Sequence, residues 1–180
     1  MKMRRRTIGL GGALAIACVL GCRDGLNSND ADAQKQPTPL IDGFVSRQKV
    51  ANVEGDLRRA GQNITVLEDG ANSAFQSKSR PPLSIRVVRV SHFNHWDVTG
   101  DLRLEFVDGE LAATWFYPRD PARFDVEVKK RGLIVEHTRP LRLHAATELR
   151  ADADYSGAKY WAWEDVHLRE KVERWLKQNA

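Results

Sequence analysis

Cysteine is almost absent from this sequence, because its 180 residues include only Cys18 and Cys22. The chain after residue 22 therefore has no disulfide, no thiolate nucleophile and no cysteine ligand for a metal. A domain of this kind depends on its hydrophobic core for stability. Residues 41–180, about 140 in number, are enough for one domain that buries roughly two-thirds of its unfolded surface.

The sequence after residue 21 also lacks an excess of positive or negative charge. The whole chain has 28 Lys and Arg against 24 Asp and Glu, a net charge of +4. Residues 1–21 hold four of the bases and no acid, which leaves 24 residues of each sign. Nucleic-acid-binding domains usually carry a basic excess of their own, so the composition argues against such a partner.

No apolar run is long enough to cross a bilayer. The longest run of apolar and small residues, Ile8–Leu20, has 13 residues, whereas a transmembrane helix needs about 20. It follows a basic start and ends at Gly21-Cys22, after which the chain turns polar at Arg23. This order is typical of a secretory signal peptide.

The residues at the end of the apolar run carry a resemblance. Val19-Leu20-Gly21-Cys22 is similar, position by position, to the lipobox of bacterial lipoproteins. The resemblance implies cleavage after Gly21, thioether lipidation of Cys22 and a membrane partner reached through that lipid anchor. Ala15-Ile16-Ala17-Cys18 fits a looser lipobox, so Cys18 stays open as the lipidated residue. An ordinary signal peptide with an incidental cysteine is a further alternative.

The residues around Cys22 also predict the membrane to which the protein is sorted and the boundaries of its domain. Arg23 follows Cys22, where a retained inner-membrane lipoprotein of enteric bacteria has Asp, although Asp24 comes one place later. Resemblance to that rule implies the outer membrane, with the domain facing the periplasm. We expect a signal peptide over 1–21, a polar flexible linker over 22–40 and one globular domain over 41–180.

Three helices are predicted from capping residues and apolar spacing. Ser46 is placed to cap the first helix, with Val45 and Val50 as a hydrophobic staple and Gly61 at its end. The second runs over residues 121–130, between Asp120 as N-cap and Gly132. Asp165 caps the last, whose buried stripe is predicted to be Leu168, Val172, Trp175 and Leu176.

The clearest strand signal is a hairpin around Asp108-Gly109, the favoured pair for a two-residue type I′ turn. That turn predicts one shared face, on which Phe106 is opposite Leu111, Leu104 opposite Ala113 and Leu102 opposite Trp115. Further strands are predicted at 64–67, 83–90, 141–150 and 159–163. The sequence therefore predicts an α+β fold, with a single antiparallel twisted sheet of about five or six strands and helices packed on one face.

The densest polar cluster is Ser91–Asp97, in which His92, His95 and Asp97 are candidate metal ligands or hydrolase residues. On a strand, positions 92 and 95 point to opposite faces, so only a turn would bring them together. The alternative is a polar connection between two strands. Glu164, Asp165 and His167 suggest acid–base chemistry, but helix capping explains adjacent acids at a helix start more simply.

No catalytic residue or cofactor is assigned from the sequence. A Gly-rich phosphate loop, a Gly-x-Ser-x-Gly turn and a His-Glu-x-x-His motif are missing from it. Five tryptophans are expected mainly in the core, although an exposed set would stack on sugars or peptides. The sequence thus favours a non-enzymatic envelope module that binds another protein or the cell wall. A small hydrolase or metal protein using His92, His95 and Asp97 is the alternative.

A looser resemblance concerns Gly43, Ser46, Val50, Leu57 and Gly61, which precede a sheet hairpin. This order is similar to the small lipoprotein subunit of the outer-membrane barrel-assembly machine. The usual Pro after the closing Gly is missing, and some 60 further residues follow the hairpin. The resemblance implies a role in outer-membrane assembly.

Overall fold

One antiparallel sheet organises the protein. The computed structural model describes residues 36–70, 82–136 and 139–179, and these contain seven strands in one sheet together with three helices. The predicted α+β class with a single antiparallel sheet is confirmed, with more strands than expected. In chain order the elements are α1 (Val50–Arg59), β1 (Ile64–Asp69), β2 (Ile85–His95), β3 (Val98–Val107), β4 (Glu110–Pro118), α2 (Pro121–Lys130), β5 (Leu141–Arg142), β6 (Thr147–Ala153), β7 (Lys159–Asp165) and α3 (Val166–Asn179).

Two meanders meet in the middle of the sheet, whose strand order is β1-β2-β3-β4-β7-β6-β5. The first four strands follow one another along the chain, and the last three return so that β7 pairs with β4. The single strand predicted over 141–150 is in fact two, because the backbone turns back on itself. Leu143 N and His144 N both donate to Thr147 O, at 3.0 and 3.5 Å.

The hairpin between β3 and β4 turns at the predicted pair. Asp108 and Gly109 have φ values of 51° and 77°, as a type I′ turn requires, and Phe106 lies opposite Leu111. The predicted register fails beyond that pair, because Ala112 is an extra residue that forms a β-bulge. Past the bulge every side chain of β4 lies on the face opposite to the predicted one.

The corrected register changes which residues meet. Leu104 lies opposite Thr114, and Leu102 lies opposite Phe116. Trp115 instead lies opposite Arg103, away from the main core. The rings of Phe116 and Phe124 are 4.9 Å apart at their centroids, so Phe116 takes the core position that the sequence had assigned to Trp115.

The main hydrophobic core lies between one face of the sheet and the helices α1 and α2, and we call this the core face. Val53 and Leu57 of α1 and Phe124 and Val128 of α2 belong to the same buried cluster as the sheet. Alternate residues of each strand point to the core face, and these sheet residues are buried there. They are Val88, Val90, Val98, Leu102, Leu104, Phe106, Leu111, Phe116, Leu149, Trp161 and Trp163.

Helix α3 packs on the other side of the sheet, which we call the open face. Phe106 and Val107 are consecutive strand residues and point to opposite faces. Phe106 is in the main core, whereas Val107 contacts Leu168 and Trp175 of α3 in a second cluster. The prediction that the helices pack on one face is therefore not confirmed. Leu176, expected in the buried stripe of α3, is 46% exposed.

Ser46 does not cap the first helix. Helix α1 begins at Val50 after Lys49, which makes no side-chain capping bond. Ser46 Oγ instead donates to Asp165 Oδ2 at 2.7 Å, and both residues are buried. Asp165 caps α3 as predicted, because its Oδ1 accepts from the backbone N–H groups of His167 and Leu168. The buried carboxylate of Asp165 therefore connects the segment before α1 with the start of α3.

Other predicted helix ends are confirmed. Gly61 and Gly132 follow α1 and α2 with φ values of 73° and 70°. Asp120 Oδ1 accepts from Arg123 N at 2.9 Å at the start of α2.

The end of the stretch predicted as a linker packs against the domain, because Thr38 and Leu40 are buried. Among the described residues, no helix is long and apolar enough to cross a membrane.

Candidate functional site

The predicted lipidation site falls in the first part of the chain. Cys22 and its alternative Cys18 lie outside the described residues. The candidate sites that the structure can position are therefore the histidine cluster in β2 and the open face of the sheet.

The three predicted ligands His92, His95 and Asp97 lie in different environments. His92 is exposed at an irregularity of β2, with a φ of 59°, and Asp97 is exposed in the turn after β2. His95 is only 3% exposed and points into the main core. Across residues 36–70, 82–136 and 139–179, no three His, Asp or Glu side chains come together as a metal site.

His95 pairs with a residue that the sequence did not single out. Its Nδ1 donates to Asp42 Oδ2 over 2.7 Å, while its Nε2 is buried without a hydrogen-bond partner among the described residues. The ring lies 4.1 Å from Trp96 and 5.6 Å from Trp163, between centroids. Burial lowers the pKa of His95 against the opposing effect of the Asp42 carboxylate. A neutral ring in an aromatic core holds the Asp42 loop in place.

A small pocket lies between residues 42–44 and helix α1. Its volume is about 240 Å³, and Asp42, Phe44 and Leu57 are among the residues that line it. Small-molecule pockets usually measure about 300–1,000 Å³. The pocket is too small to be preferred as the functional site.

The open face carries a polar surface that α3 covers only at one end. Strand pairing arranges its side chains in rows that run across the strands. We call Glu68, Glu105, Glu164 and Glu148 the acidic row, with Val87 and Ala113 between them. We call Thr65, Arg89, Arg103, Trp115, Ala162 and Arg150 the donor row. Tyr117 and Tyr160 form the tyrosine row beyond it.

The acidic row lies next to α3 and is partly neutralised by it. Arg169 donates to Glu164 Oε2 and to Glu148 Oε2, both at 2.9 Å. Arg150 donates to Glu164 Oε2 as well, also at 2.9 Å. The two charge-assisted contacts of Arg169 attach α3 to β7 and β6, and the contact of Arg150 joins those two strands to each other.

Glu105, like Glu68, contacts no arginine or lysine among the described residues, whereas Glu164 and Glu148 are paired with arginines. It lies on the interior strand β3, between Val87 and Ala113. Burial, helped by the charges of Glu164 and Glu68, raises the pKa of Glu105 to about 7. The group therefore titrates near neutral pH inside the folded protein.

The donor row crosses the centre of the sheet. Arg89 and Arg103 lie directly opposite each other on β2 and β3, and Trp115 is the next residue along the row. Arg150 ends it on β6. These four side chains are all partly exposed. The row therefore offers positive charge and an aromatic ring to a ligand on the surface.

The tyrosine row extends this surface. The centroids of Tyr117 and Tyr160 are 5.2 Å apart, and those of Trp115 and Tyr160 are 6.3 Å apart. The guanidinium of Arg103 lies 4.0 Å over the ring of Tyr117, and its Nη1 donates to the Tyr117 hydroxyl over 3.1 Å. The expected burial of the tryptophans holds for Trp161, Trp163 and Trp175. It does not hold for Trp115, which belongs to this surface.

Sequence reasoning missed the donor row because its members are dispersed along the chain. Arg89, Arg103 and Arg150 lie in three separate strands with no shared motif. The signal that was present is an alternation of arginine with valine or leucine, as in Val88-Arg89-Val90 and Leu102-Arg103-Leu104. Period-2 alternation places such arginines on the face opposite the core.

Comparison with protein families and curated proteins gives no relative. No family model matches the chain, and no curated protein matches it. The functional conclusion depends on the geometry of the open face and on the start of the sequence.

Proposed function

We propose that this chain is a lipid-anchored protein of the bacterial cell envelope whose sheet domain is a non-enzymatic binding module. The lipobox-like segment ending at Cys22 supports the anchor. The rest of the chain has equal numbers of acids and bases, so it has no excess charge to attract a membrane. Lipidation places the domain at the membrane, and we propose the periplasmic side of the outer membrane.

The observation that carries the binding role is the composition of the open face. Arg103, Trp115, Tyr117 and Tyr160 are partly exposed neighbours on one continuous surface. Trp, Tyr and Arg are the residues that contribute most to protein–protein binding energy.

The anchor is tested by metabolic labelling with a palmitate analogue. We expect the wild-type chain and Cys18→Ala to be labelled and to sediment with membranes. Cys22→Ala should be unlabelled and should accumulate as uncleaved precursor or as soluble protein. Labelling of Cys22→Ala together with loss of label in Cys18→Ala would move the lipid to Cys18, and absence of label from all three would refute the anchor.

The binding role is tested by photo-crosslinking in cells. A benzophenone amino acid is placed at Tyr160 on the open face or at Val126, which is 49% exposed on α2 and serves as the matched control. We expect discrete crosslinked products from position 160 only. Equal product patterns from both positions, or none from position 160, would contradict a binding role for the open face.

A further inference from the structure

Four nitrogen donors on the donor row have no partner. They are Arg89 Nε, Arg103 Nε, Trp115 Nε1 and Arg150 Nε, and each is buried without a hydrogen bond within the part of the chain that the structure describes. They come from four strands, β2, β3, β4 and β6, yet strand pairing places them on the same row. Other atoms of this kind lie elsewhere among the described residues, His95 Nε2 and Thr114 Oγ1 on the core face among them, but four lie together on this row. Their shared position points to a ligand.

The chemistry of these groups limits what can satisfy them. A guanidinium and an indole N–H donate hydrogen bonds but accept none. Leaving a buried donor unpaired costs about 1–3 kcal/mol, and the large majority of buried polar side-chain atoms in proteins are paired. A group that satisfies this row must bring acceptors. Arg150 is already paired with Glu164, but Arg89 and Arg103 have no carboxylate partner among the described residues and favour acceptors that carry negative charge.

Arg89 and Arg103, at the centre of the row, have no ion-pair partner among the described residues, and Asp154 interacts with the charge of Arg103 without pairing with it. Arg89 and Arg103 lie directly opposite each other, an arrangement that is destabilising for like charges. Arg89 has no ion pair among the described residues, and Arg103 bonds only to the neutral hydroxyl of Tyr117. Glu105, two residues along β3 and about 7 Å away, is not paired with Arg103.

We propose that the donor row binds an acidic peptide segment of a partner protein, with Asp or Glu carboxylates received by Arg89 and Arg103. The proposal rests on the binding role proposed above. Arginine pairs with carboxylates through two parallel hydrogen bonds, and Trp115 adds apolar contact area beside them. A neutral saccharide is disfavoured, because it brings no negative charge to Arg89 and Arg103.

The dimensions of the row fit a short extended peptide. Arg89 and Trp115 are two strand spacings apart, about 10 Å, and Arg89 and Arg150 are four spacings apart, about 19 Å. An extended chain advances about 3.3 Å per residue, so about six residues span the row. A hexapeptide is therefore the appropriate probe.

The test measures fluorescence anisotropy of a labelled hexaglutamate peptide titrated with the full-length chain in detergent micelles. We expect saturable binding that weakens as salt is added. Arg89→Ala and Arg103→Ala should each raise the dissociation constant at least tenfold, and Arg103→Lys should do so as well, because lysine lacks the planar fork. Arg123→Ala, which removes an exposed arginine on α2, should change it less than twofold.

Three results would overturn the proposal. They are no saturable binding at millimolar peptide, equal affinity in all the variants, and displacement of the peptide by a uronic-acid oligomer or inorganic phosphate at lower concentration than by unlabelled peptide. Thermal unfolding of each variant checks that it is folded. Peptide binding without crosslinks from Tyr160 in cells would contradict the proposed function alone, whereas crosslinks without peptide binding would contradict only the acidic-peptide partner.

Discussion

Glu105→Gln should stabilise the protein at alkaline pH and leave it nearly unchanged in acid. The pKa of this carboxyl rises from 4.5 to about 7 on folding, chiefly because the group is buried. Between those pH values Glu105 holds a proton in the folded protein that it releases in the unfolded chain, so its contribution to wild-type stability falls as pH rises. Glutamine has nearly the same shape and no charge to bury.

The magnitude follows from how far the pKa of Glu105 rises on folding. A tenfold change in an acid dissociation constant corresponds to about 1.4 kcal/mol, so ionised Glu105 costs the folded state at most about 3 kcal/mol above pH 7. Solvent around this partly exposed side chain reduces the figure. We therefore expect Glu105→Gln to raise the free energy of unfolding by about 1–3 kcal/mol at pH 8 and by little at pH 4.5.

Urea denaturation of wild type and variant at several pH values between 4.5 and 8.5 measures the effect. Glu68→Gln should give a small part of the same gain, because the charge of Glu68 contributes to the raised pKa of Glu105. Glu136→Gln, an exposed carboxyl after α2, is the matched control and should give no pH-dependent gain. A gain at Glu105 that is constant with pH would refute the reasoning, because it would not arise from ionisation.

Two further predictions concern the buried polar contacts. Ser46→Ala should lower the free energy of unfolding by about 1–3 kcal/mol, because Asp165 Oδ2 loses a buried donor. Urea denaturation measures this loss. A loss below about 0.5 kcal/mol would mean that another donor replaces the Ser46 hydroxyl. Because burial lowers the pKa of His95 from 6.5, the contribution of His95 to stability should fall as pH drops below 6.5, opposite in sign to the contribution of Glu105 over the same range. Between pH 7 and 5 the stability of His95→Gln relative to wild type should therefore rise as pH falls, and a difference that stays constant with pH would contradict a neutral buried ring.

Local sequence patterns predicted the elements of this fold better than their register. Asp108-Gly109 fixed the turn, and Asp120 and Gly132 fixed the ends of α2, because each effect involves only neighbouring residues. The bulge at Ala112 is different, since no residue type requires it. One extra residue exchanged the positions of Trp115 and Phe116, and with them the composition of both faces.

The candidate site was hidden from the sequence for the same reason. His95 was noticed beside His92, but its partner Asp42 lies 53 residues away and is brought to it by the packing of the Asp42 loop. Ser46 has the residue type of an N-cap and lies near a helix start, yet Asp165 competes successfully for its hydroxyl. Contacts between residues distant in the sequence determine the partners of both His95 and Ser46. The spacing of residues along the chain does not reveal such contacts.

The junction of β4 with β7 has a consequence for how the surface assembles. Trp115 lies opposite Ala162 there, so the two meanders are joined by contacts some 47 residues apart in the chain. Closing so long a loop costs entropy before any contact is gained, whereas each hairpin forms locally. Until the junction closes, β4 is an unpaired edge that can associate with another chain. Arg150 reaches its place beyond Trp115 only afterwards, so the donor row is complete only once the slowest pairing in the sheet has formed.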